Sequence, residues 1–590
     1  MEPLAAATSK PIDQSSIRER QSWLFRAASV LTNGWVRALI LLVIGFAVRM
    51  PALQGVPVWD DDYLVGENPF GKSPLLFVEA FRHYLFPESV SLHYRPVQNV
   101  SFAVDALVWN GSAYGFHLTN VLLHVASGIA LSFLLSRLFR SSFSPSTSRA
   151  TLDRASLVSF LVALLWIVHP VHSAAVDYIS GRADSLAFLF ACSAWLFYLR
   201  AGDLLSRRAR VTYYTGAVLC GLLALCSREI ACVWIAIFLL HSVAFTRQRS
   251  PRVKVILFVC CIALLATYAG LRHLPDERVA AAASQHWSAP TRVVLMLRAL
   301  GDYGRLLAWP STLYMERSVL TPENYLGTTQ WRSSAATEYL SVLGTLVLAA
   351  LVYGAIRKGR ARQLRLFGVL WFACGFLPIS NLIDLNANVA EHWLYLPSVG
   401  LLIFLAGCAV ELPRIGRTAA IALSLAASCG LGVRSYYRSS DWVSPKVFYE
   451  RTMEAGGSST RVAMNLGLIY QNEGDYGKAE KVFRRVLELT PDNVLARNNL
   501  ADVLYREGKR QESEALFVGA TSLAAETRKE NPRTWIAALN LAHIRHNEHD
   551  DNAALSLLER ARGDYPGVWP IIRFEAELLR KRSGLPRALF

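Results

Sequence analysis

Apolar residues occur over most of the chain in runs separated by short polar segments. Runs of about 16 to 20 residues are long enough to cross the hydrocarbon core of a bilayer as an α-helix. The pattern predicts about eleven spans, at 36–53, 116–136, 155–170, 184–200, 211–227, 230–246, 254–271, 338–356, 366–382, 394–411 and 417–434. The expected fold class for residues 36–435 is an all-α, polytopic membrane helical bundle.

The stretch 290–310 differs from these runs because its polar residues recur on one helical face. Arg298, Asp302 and Arg305 follow the spacing i, i+4 and i+7. We expect this amphipathic helix to lie on the membrane or to line a cavity, rather than to span the bilayer alone.

From about residue 460 the apolar runs give way to a soluble helical pattern with a period of 34 residues. The period is carried by Asn465 and Asn499, Leu466 and Leu500, Gly474 and Gly508, Glu480 and Glu514, and Phe483 and Phe517. It predicts tetratricopeptide (TPR) repeats, each a helix-turn-helix. A third copy, at Asn540 and Leu541, is displaced by seven further residues, which places an insertion between about 519 and 533. We expect an α-solenoid of about three repeats over 446–590, which either binds a peptide or only braces the membrane part.

The composition agrees with a membrane protein and argues against a nucleic-acid partner. The 590 residues are 53% hydrophobic and 18% charged, whereas soluble domains are nearer 25% charged. The net charge of +16 comes from basic clusters between apolar runs, which is the topogenic pattern of membrane proteins. None of the nine cysteines has the paired spacing of a zinc site.

The positions of the basic clusters predict the sidedness of the chain. Clusters such as Arg137 with Arg140 and those at 207–210 and 357–365 fall on one side when the spans alternate. The positive-inside rule makes that side cytoplasmic. We therefore expect residues 1–35 to be a cytoplasmic segment and 446–590 to be extracytoplasmic. The final residues, GLPRALF, carry no retention signal, which favours a bacterial inner membrane over the endoplasmic reticulum.

Three consecutive aspartates, Asp60, Asp61 and Asp62, follow the first apolar run in the string VWDDDYLVGENP. Ionised carboxylates at a membrane surface repel each other and resist burial, so their presence calls for a reason. A general base, a divalent metal site and an acidic surface turn or helix cap are all open at this point.

Other polar groups fall on the same predicted side of the bundle. They are Arg95, His117, Asn120, His124, His169, His172, Asp177, Arg182, Asp184, Arg228, Glu229, Glu391, His392 and Tyr395. Arginines there suit an anionic phosphate, and a nearby carboxylate suits a base that acts on a hydroxyl. No nucleotide-binding glycine motif is present, so a membrane lipid phosphate fits better than a nucleotide donor. Hydrogen bonding between helices is the alternative for His117, Asn120 and His124.

Several strings resemble the transmembrane and TPR repeat-containing (TMTC) family, a branch of the GT-C glycosyltransferases. They are DDDYLVGENP, YRPVQNVSFAVDALVW, GFHLTNVLLH, HPVHSAAVDYISGRADSLAF, SREIACVWIAIFLL and AEHWLYLPSVG. Together they cover most of residues 57–410 in the family's order. The resemblance implies an inverting transferase that moves a sugar, expected to be mannose, from a polyprenyl-phosphate donor to Ser or Thr hydroxyls of extracytoplasmic proteins.

The resemblance also assigns roles to residues. Asp60 corresponds to the catalytic base and Asp61 to a paired acid, selected by their spacing to Asn68. Ala174 stands where the family's second motif has Glu, and Asp177 is the candidate replacement. We expect Arg95, Arg182 and Arg228 to bind the donor phosphate. The expected sugar or acceptor pocket comprises His117, His124, His169, His172, Asp177, Glu391, His392 and Tyr395.

The scheme requires no cofactor, because the arginines already supply positive charge, although a divalent metal held by Asp60 and Asp61 is an alternative. The TPR groove is expected to bind the acceptor protein. Two rival functions remain. One is a GT-C transferase that acts on a cell-surface glycan or lipid, and the other is a non-catalytic membrane scaffold whose TPR repeats recruit partners.

Overall fold

The structure is a computed structural model that describes residues 30–31, 33–66, 70, 73–85, 93–143, 149–245, 250–275, 288–317, 319, 331–383, 385, 387–455, 459–521 and 534–583. Asn68 and most of the predicted insertion at 519–533 lie outside this part of the chain. Two compact units are present, Met1–Phe448 and Tyr449–Phe590. The sequence placed the corresponding domains at 36–435 and 446–590.

The first unit consists of helices and one small pair of strands. Its helices are α1 Gly34–Arg49, α2 Pro96–Trp109, α3 Ala113–Phe143, α4 Arg149–Ile167, α5 Arg182–Asp203, α6 Arg207–Ser227, α7 Ala231–Leu240, α8 Pro251–Leu271, α9 Ala289–Ala308, α10 Trp331–Ile356, α11 Arg362–Phe376, α12 Pro397–Glu411 and α13 Arg414–Ser440. Strands β1 Glu316–Arg317 and β2 Val389–Ala390 pair antiparallel.

Short helical turns occupy the connections. They are Met50–Gln54, Asp62–Gly66, Pro74–Phe77, Glu79–Arg82, Pro170–His172, Ser173–Val176, Ile179–Gly181, His241–Phe245, Leu377–Ile379 and Glu391–Tyr395. Most of the polar residues singled out by the sequence lie on these turns or on the helix ends beside them.

Seven helices of the described chain are long and apolar enough to cross a membrane. A bent pair, Asp153–Ile167 and Pro170–Val176 at 54°, would make an eighth. The sequence predicted about eleven spans, and a helix occurs at each of them. The difference arises because Ala231–Phe245 and Pro397–Glu411 are apolar but short, and α11 has only 15 residues. The chain is therefore an all-α membrane protein in its first unit.

Glycines allow two helix pairs in the bundle to approach at backbone distance. A Cβ at Gly301 of α9 would lie 2.0 Å from the Leu340 carbonyl oxygen of α10, and one at Gly344 of α10 would lie 2.0 Å from the Leu297 carbonyl oxygen. Gly368 of α11 and Gly400 of α12 meet in the same way. Small residues at such crossings let membrane helices pack without a hydrophobic driving force between them.

Helix α9 contains the amphipathic stretch predicted at 290–310, and it is not among the seven apolar spans. Its polar face packs against protein. Arg298 donates to the Val319 carbonyl at 3.1 Å and pairs with Glu338 of α10. Asp302 accepts from Arg305 at 2.7 Å and is also close to Arg317 of β1. The face therefore joins α9 to α10 and to β1.

Helix α14 Pro445–Glu454 contains the boundary between the two units. The second unit continues as a stack of helices, α15 Thr460–Glu473, α16 Tyr476–Leu489, α17 Val494–Arg506, α18 Arg510–Thr521, α19 Trp535–Asn547, α20 Asp551–Asp564 and α21 Trp569–Ser583. Gly474 and Gly508 end the first helices of two repeats with φ of 79° and 82°. His549 takes the same left-handed position in the third repeat, with φ of 65°. It follows Gly508 by 41 residues, which is the 34-residue period plus the seven predicted from the sequence.

Candidate functional site

The aspartate loop follows α1 and is fixed by the Asp61 carboxylate. One oxygen accepts from the Ser180 backbone N–H at 2.8 Å and from the Ser180 hydroxyl at 2.6 Å. The other accepts from the backbone N–H groups of Val58 and Ile179 at 3.2 and 3.3 Å. Asp61 is 1% exposed. Its carboxylate therefore joins the loop to the 177–181 segment, and its acceptor capacity is largely used within the protein.

Burial raises the pKa of Asp61 to about 7, because removal from water disfavours the charged form. The hydrogen bonds from Ser180, Val58 and Ile179 oppose that rise. The Asp61 carboxyl therefore gains or loses its proton near neutral pH.

Asp60 differs from Asp61 because it is only half-buried. Its own carbonyl accepts from the Leu64 backbone N–H at 3.0 Å, which starts the helical turn after it. The residue before it, Trp59, has a φ of 63°, a left-handed conformation that is strained for a bulky side chain. Backbone strain of this kind occurs at sites that must hold one geometry. Of the two aspartates, Asp60 is the one that keeps solvent-exposed surface.

A buried ion pair holds the 169–177 segment against two remote helices. The Arg49 guanidinium, at the end of α1, lies 3.1 Å from Asp177 and 2.6 Å from the Ser173 hydroxyl. It also donates to the His169 carbonyl at 3.0 Å. Ser439 of α13 donates to Asp177 at 2.9 Å. Asp177, considered as a replacement for the Glu missing at Ala174, is therefore bound inside the fold.

Asn120 and Arg182 hold the next part of this segment. The Asn120 amide donates to the carbonyls of Val176, Tyr178 and Ile179 at 3.0 to 3.1 Å. Its oxygen accepts from Arg182 Nε at 2.8 Å. The tight turn also needs Gly181, since a Cβ there would lie 2.5 Å from the Ala174 carbonyl oxygen.

Arg182 is fully buried, and all three nitrogens of its guanidinium contact oxygen atoms within the protein. The acceptors are Asn120 Oδ1, the Ser101 carbonyl and hydroxyl, the Phe116 carbonyl and an Asp105 carboxylate oxygen at 2.6 Å. Its guanidinium also lies 4.7 Å from the centre of the Phe102 ring. In this arrangement the Arg182 guanidinium is buried against protein oxygens, and its predicted binding of a donor phosphate remains a prediction.

Arg95 and Arg228 lie at a more open position, each with a side chain that is 12% exposed. Arg95 contacts Glu229 at 2.9 Å, and Arg228 pairs with Asp184. Burial raises the pKa of Glu229, but Arg95 and His93 outweigh that effect and hold it well below its usual range. Both arginines keep part of their surface toward solvent, unlike Arg182.

His392 adjoins these two ion pairs. Burial, together with the charges of Arg228 and Arg95, keeps the pKa of His392 well below its usual value, so the imidazole is neutral. Its Nδ1 has no hydrogen-bond partner among the described residues. We call Arg95, Asp184, Arg228, Glu229 and His392 the arginine cluster. It contains two partly exposed guanidiniums and one neutral imidazole.

Ser180 links the aspartate loop to the arginine cluster. It binds Asp61 through its N–H and hydroxyl, and its carbonyl accepts from Gln98 at 2.8 Å. Gln98 is three residues after Arg95 on α2, and Asp184 is four residues after Ser180. The predicted outer-side loops thus meet at one end of the bundle.

The remaining histidines predicted for a pocket are packed inside the protein. His124 is hydrogen-bonded to the Tyr395 hydroxyl and to the Ile167 carbonyl, both at 2.9 Å. His169 Nε2 is 3.1 Å from the Leu307 carbonyl oxygen. His172 is fully buried, with its ring centre 5.0 Å from those of Trp166 and Tyr395. These side chains form an aromatic core between α3, α4 and the 391–395 turn.

His117 and Glu391 are also buried, at different places. His117 lies beside Gly55, where a Cβ would be 2.7 Å from its Nε2. Glu391 pairs with Arg438 of α13 at 3.4 Å, and Arg438 also pairs with Asp441 at 3.1 Å. In this arrangement His117 and Glu391 contact protein groups. Their role in a sugar pocket therefore remains a prediction.

The Asp61 carboxylate has little capacity left for a bridging metal. No group of three or more His, Cys, Asp or Glu side chains is arranged to hold a metal in the described part of the chain. Both oxygens of Asp61 already accept hydrogen bonds from N–H or O–H donors. A hard divalent cation needs several free oxygen ligands, so coordination there would break the bonds that position the loop.

Sequence reasoning missed three residues that shape this end of the bundle, namely Arg49, Asp105 and Arg438. Each is a charged residue in or at the end of an apolar helix. Charges in such places are rare and are paired in the folded protein, which was a usable signal. Their partners lie at positions that spacing along the chain does not reveal.

The fold and site define the class of the protein as a helical membrane protein with a polar site at one end of its bundle and a TPR unit in the same chain. A tetratricopeptide repeat model matches residues 460–493. That match covers the first of the repeats predicted from the 34-residue period.

Curated proteins of similar sequence indicate a more specific class. Protein O-mannosyl-transferase F38B6.6 of Caenorhabditis elegans is 24% identical over 479 residues, covering 78% of this chain and 64% of the relative. Protein O-mannosyl-transferase TMTC3 of Mus musculus is 24% identical over 532 residues, covering 83% and 55%. The resemblance to the TMTC family is confirmed by these names. The chain spans between about half and two thirds of the length of these relatives.

The crystal structure of yeast Tom70 covers 73% of this chain and 78% of its own at 15% identity, but with a TM-score of 0.20 it supports no statement about the fold. The curated relatives are animal proteins, so they lend no support to a bacterial inner membrane.

Proposed function

We propose that the chain is an inverting glycosyltransferase that moves mannose from a polyprenyl-phosphate donor to Ser or Thr hydroxyls of proteins. The observation that carries the proposal is a pair of contacts made by Ser180: it donates to Asp61, the residue after Asp60, and its carbonyl accepts from Gln98, three residues after Arg95 on α2. The names of the relatives favour the same reaction and a protein acceptor. The GT-C class is proposed on the motifs of the sequence.

In this proposal Asp60 is the general base. It takes the proton of the acceptor hydroxyl while that oxygen attacks the anomeric carbon. The bond from the anomeric carbon to the phosphate oxygen breaks, and prenyl phosphate leaves from the opposite face. The configuration therefore inverts through a transition state with oxocarbenium character. Asp61 is a positioning residue, because its hydrogen bonds to Ser180 and Val58 fix the loop that carries Asp60.

Arg95 and Arg228 are proposed to bind the donor phosphate. They are the partly exposed arginines of the site, and Glu229 and Asp184 hold their guanidiniums in place. A guanidinium stabilises the charge that develops on a leaving phosphate by about 3 to 4 kcal/mol for one well-placed donor. The neutral His392 is proposed to accept a hydrogen bond from a sugar hydroxyl through Nδ1, which is buried and has no hydrogen-bond partner among the described residues.

The acceptor and the sidedness complete the proposal. The TPR unit is proposed to bind the acceptor protein, since TPR repeats form concave surfaces that bind peptides. The N-terminus is placed in the cytoplasm and the TPR unit outside it, by the positive-inside argument. Helix α9 is proposed to cover the cleft for the lipid or the acceptor.

The test is transfer of labelled mannose from polyprenyl-phosphate mannose to protein acceptors by the purified full-length chain. We expect Asp60→Asn to lower the rate by about 10² to 10⁴, the usual contribution of a positioned base. The neighbouring Asp62→Asn is the matched control and should retain activity. Thermal unfolding of both variants checks that the loss is not a loss of fold.

Other results would support the rival functions. Transfer to a glycan or lipid but not to protein would assign a different acceptor. Full activity in Asp60→Asn would remove it as the base. No consumption of donor, with several sugars tested, would favour a non-catalytic scaffold.

A further inference from the structure

The end of the bundle opposite the candidate site carries three arginines close together. Arg37 lies near the start of α1, and Arg137 and Arg140 lie near the end of α3. Arg49, which contacts the candidate site, is at the other end of α1, so the three arginines and the site are at opposite ends. Helices α1 and α3 are both among the apolar spans. This end therefore meets the headgroup region of one leaflet.

Arg37 is an unusual member of the group because it is only 4% exposed. Its Nη1 donates to the Ser159 hydroxyl at 3.4 Å, and its guanidinium lies 5.3 Å from the centre of the Phe133 ring. Its Nε is buried without a hydrogen-bond partner. Among the described residues it pairs with no carboxylate. A buried guanidinium in this state is costly unless an anion compensates it.

The neighbouring charges make the shortage of anions larger. Arg140 is exposed, has no ion pair with a described residue, and is close enough to Arg37 and Arg137 for the charges to repel. Asp203, the carboxylate at this position, is paired with Arg137. In the described part of the chain, Asp203 is the one carboxylate that forms an ion pair with any of these three guanidiniums, and Asp153, near the start of α4, pairs with none of them.

We propose that Arg37 and Arg140 bind the phosphate of an anionic membrane lipid between α1 and α3. A guanidinium matches phosphate oxygens bidentately. Basic pockets between membrane helices are known to bind acidic headgroups. Phosphate oxygens would supply the acceptor that Arg37 Nε lacks and the negative charge that Asp203 cannot supply while it holds Arg137. This site is separate from the donor site proposed above and does not depend on that function.

The test is binding of dioleoyl phosphatidylglycerol to the full-length chain in detergent, followed by native mass spectrometry and thermal unfolding. Dioleoyl phosphatidylcholine and inorganic phosphate are the comparison probes. We expect phosphatidylglycerol to bind at least about tenfold more tightly than phosphatidylcholine. Arg140→Gln should weaken it about fivefold, the usual effect of one arginine near an anionic surface. Arg37→Gln should weaken it more, because Arg37 is buried.

Arg414→Gln is the matched control, since Arg414 is an exposed arginine at the start of α13, outside the cluster, and should leave the affinity unchanged. Because Arg140 is exposed, its variant should fold even if Arg37→Gln does not. Equal affinity in wild type and Arg140→Gln would overturn the site. Equal binding of phosphatidylcholine, or tight binding of inorganic phosphate alone, would overturn the anionic lipid as its occupant.

Discussion

Two sets of arginines meet at the candidate site, and they differ in what surrounds them. Arg49, Arg182 and Arg438 are fully buried, and each pairs with a buried carboxylate, Asp177, Asp105 and Glu391 respectively. Arg95 and Arg228 keep part of their side chains exposed. In sequence the five look alike, since each lies in or beside an apolar segment. The comparison shows that burial, and not residue type, separates arginines that hold the fold from those that can bind a ligand.

The buried set should show the largest effect on folding. Arg182→Met leaves Asp105 as an uncompensated buried charge, so we expect the free energy of unfolding to fall by about 3 to 5 kcal/mol. The measurement is the melting temperature and the yield of monodisperse protein. The double variant Arg182→Met with Asp105→Leu should recover much of the loss, because it removes both charges. An unchanged melting temperature in the single variant would contradict the structural role of Arg182.

The Asp61 carboxyl should make stability depend on pH. Its pKa is raised in the folded state to about 7, so the folded protein binds a proton that the unfolded chain releases near 3.8. The stabilisation that proton binding by Asp61 gives the folded state is fully present below the unfolded pKa of 3.8, and it is lost as the pH rises toward 7. The slope is up to about 1.4 kcal/mol per pH unit, and the contribution levels off above 7.

The measurement for Asp61 is the melting temperature of wild type and Asp61→Asn at pH 5, 6, 7 and 8. The wild type should lose more stability between pH 5 and 7 than the variant, while the two should change in parallel above 7. Parallel behaviour over the whole range would mean that Asp61 does not titrate in this window.

The partly exposed set should affect the donor more than the fold. Arg95→Gln removes a charge-assisted contact with the proposed phosphate, so we expect the KM for the donor to rise by about 10- to 100-fold. Glu229 is then left with His93 and solvent, so the melting temperature should change little. Arg95→Lys keeps the positive charge but loses the forked guanidinium, so its KM for the donor should lie between those of wild type and Arg95→Gln. A large loss of stability with no change in KM would show that Arg95 stabilises the fold, as the buried arginines do, and does not bind the donor.

The smallest effect is expected from the carboxylate partner of Arg95. Glu229 is 27% exposed, and ion pairs with that much solvent contribute about 0 to 1 kcal/mol. Glu229→Gln should therefore lower the free energy of unfolding by less than about 1 kcal/mol. A loss comparable to that of Arg182→Met would show that exposure does not separate the two sets.

The parts of the fold that depend on local periodicity could be predicted from the sequence. The apolar runs indicated an all-α membrane bundle, and the 34-residue period indicated TPR repeats, including the seven-residue displacement later seen at His549. The number of spans was harder, because an apolar run does not show where a helix bends. Ala231–Phe245 and Pro397–Glu411 are apolar but short, and the bent pair Asp153–Ile167 and Pro170–Val176 turns by 54° where Pro170 begins its second helix.

The site could be predicted only in part, for a different physical reason. The sequence indicated which loops carry polar groups, but not which groups satisfy one another. In the sequence Arg182 looked as suitable for a phosphate as Arg95. Its partner Asp105 is 77 residues away, and the sequence did not show that this carboxylate is buried against it. Burial and hydrogen-bond saturation are properties of the packed chain, so spacing cannot report them.

The Arg49 contacts also set an order of events during synthesis. Arg49 donates to Ser439 at 3.4 Å, a residue 390 positions later in the chain. At about 5 to 20 residues per second, a ribosome needs roughly 20 to 80 s to make the intervening chain. For that interval the first helix has entered the bilayer while the serine that completes its charged end has not been translated. Assembly of this end of the bundle therefore finishes only when α13 arrives, and until then water, headgroups or an insertion factor must hold the Arg49 charge.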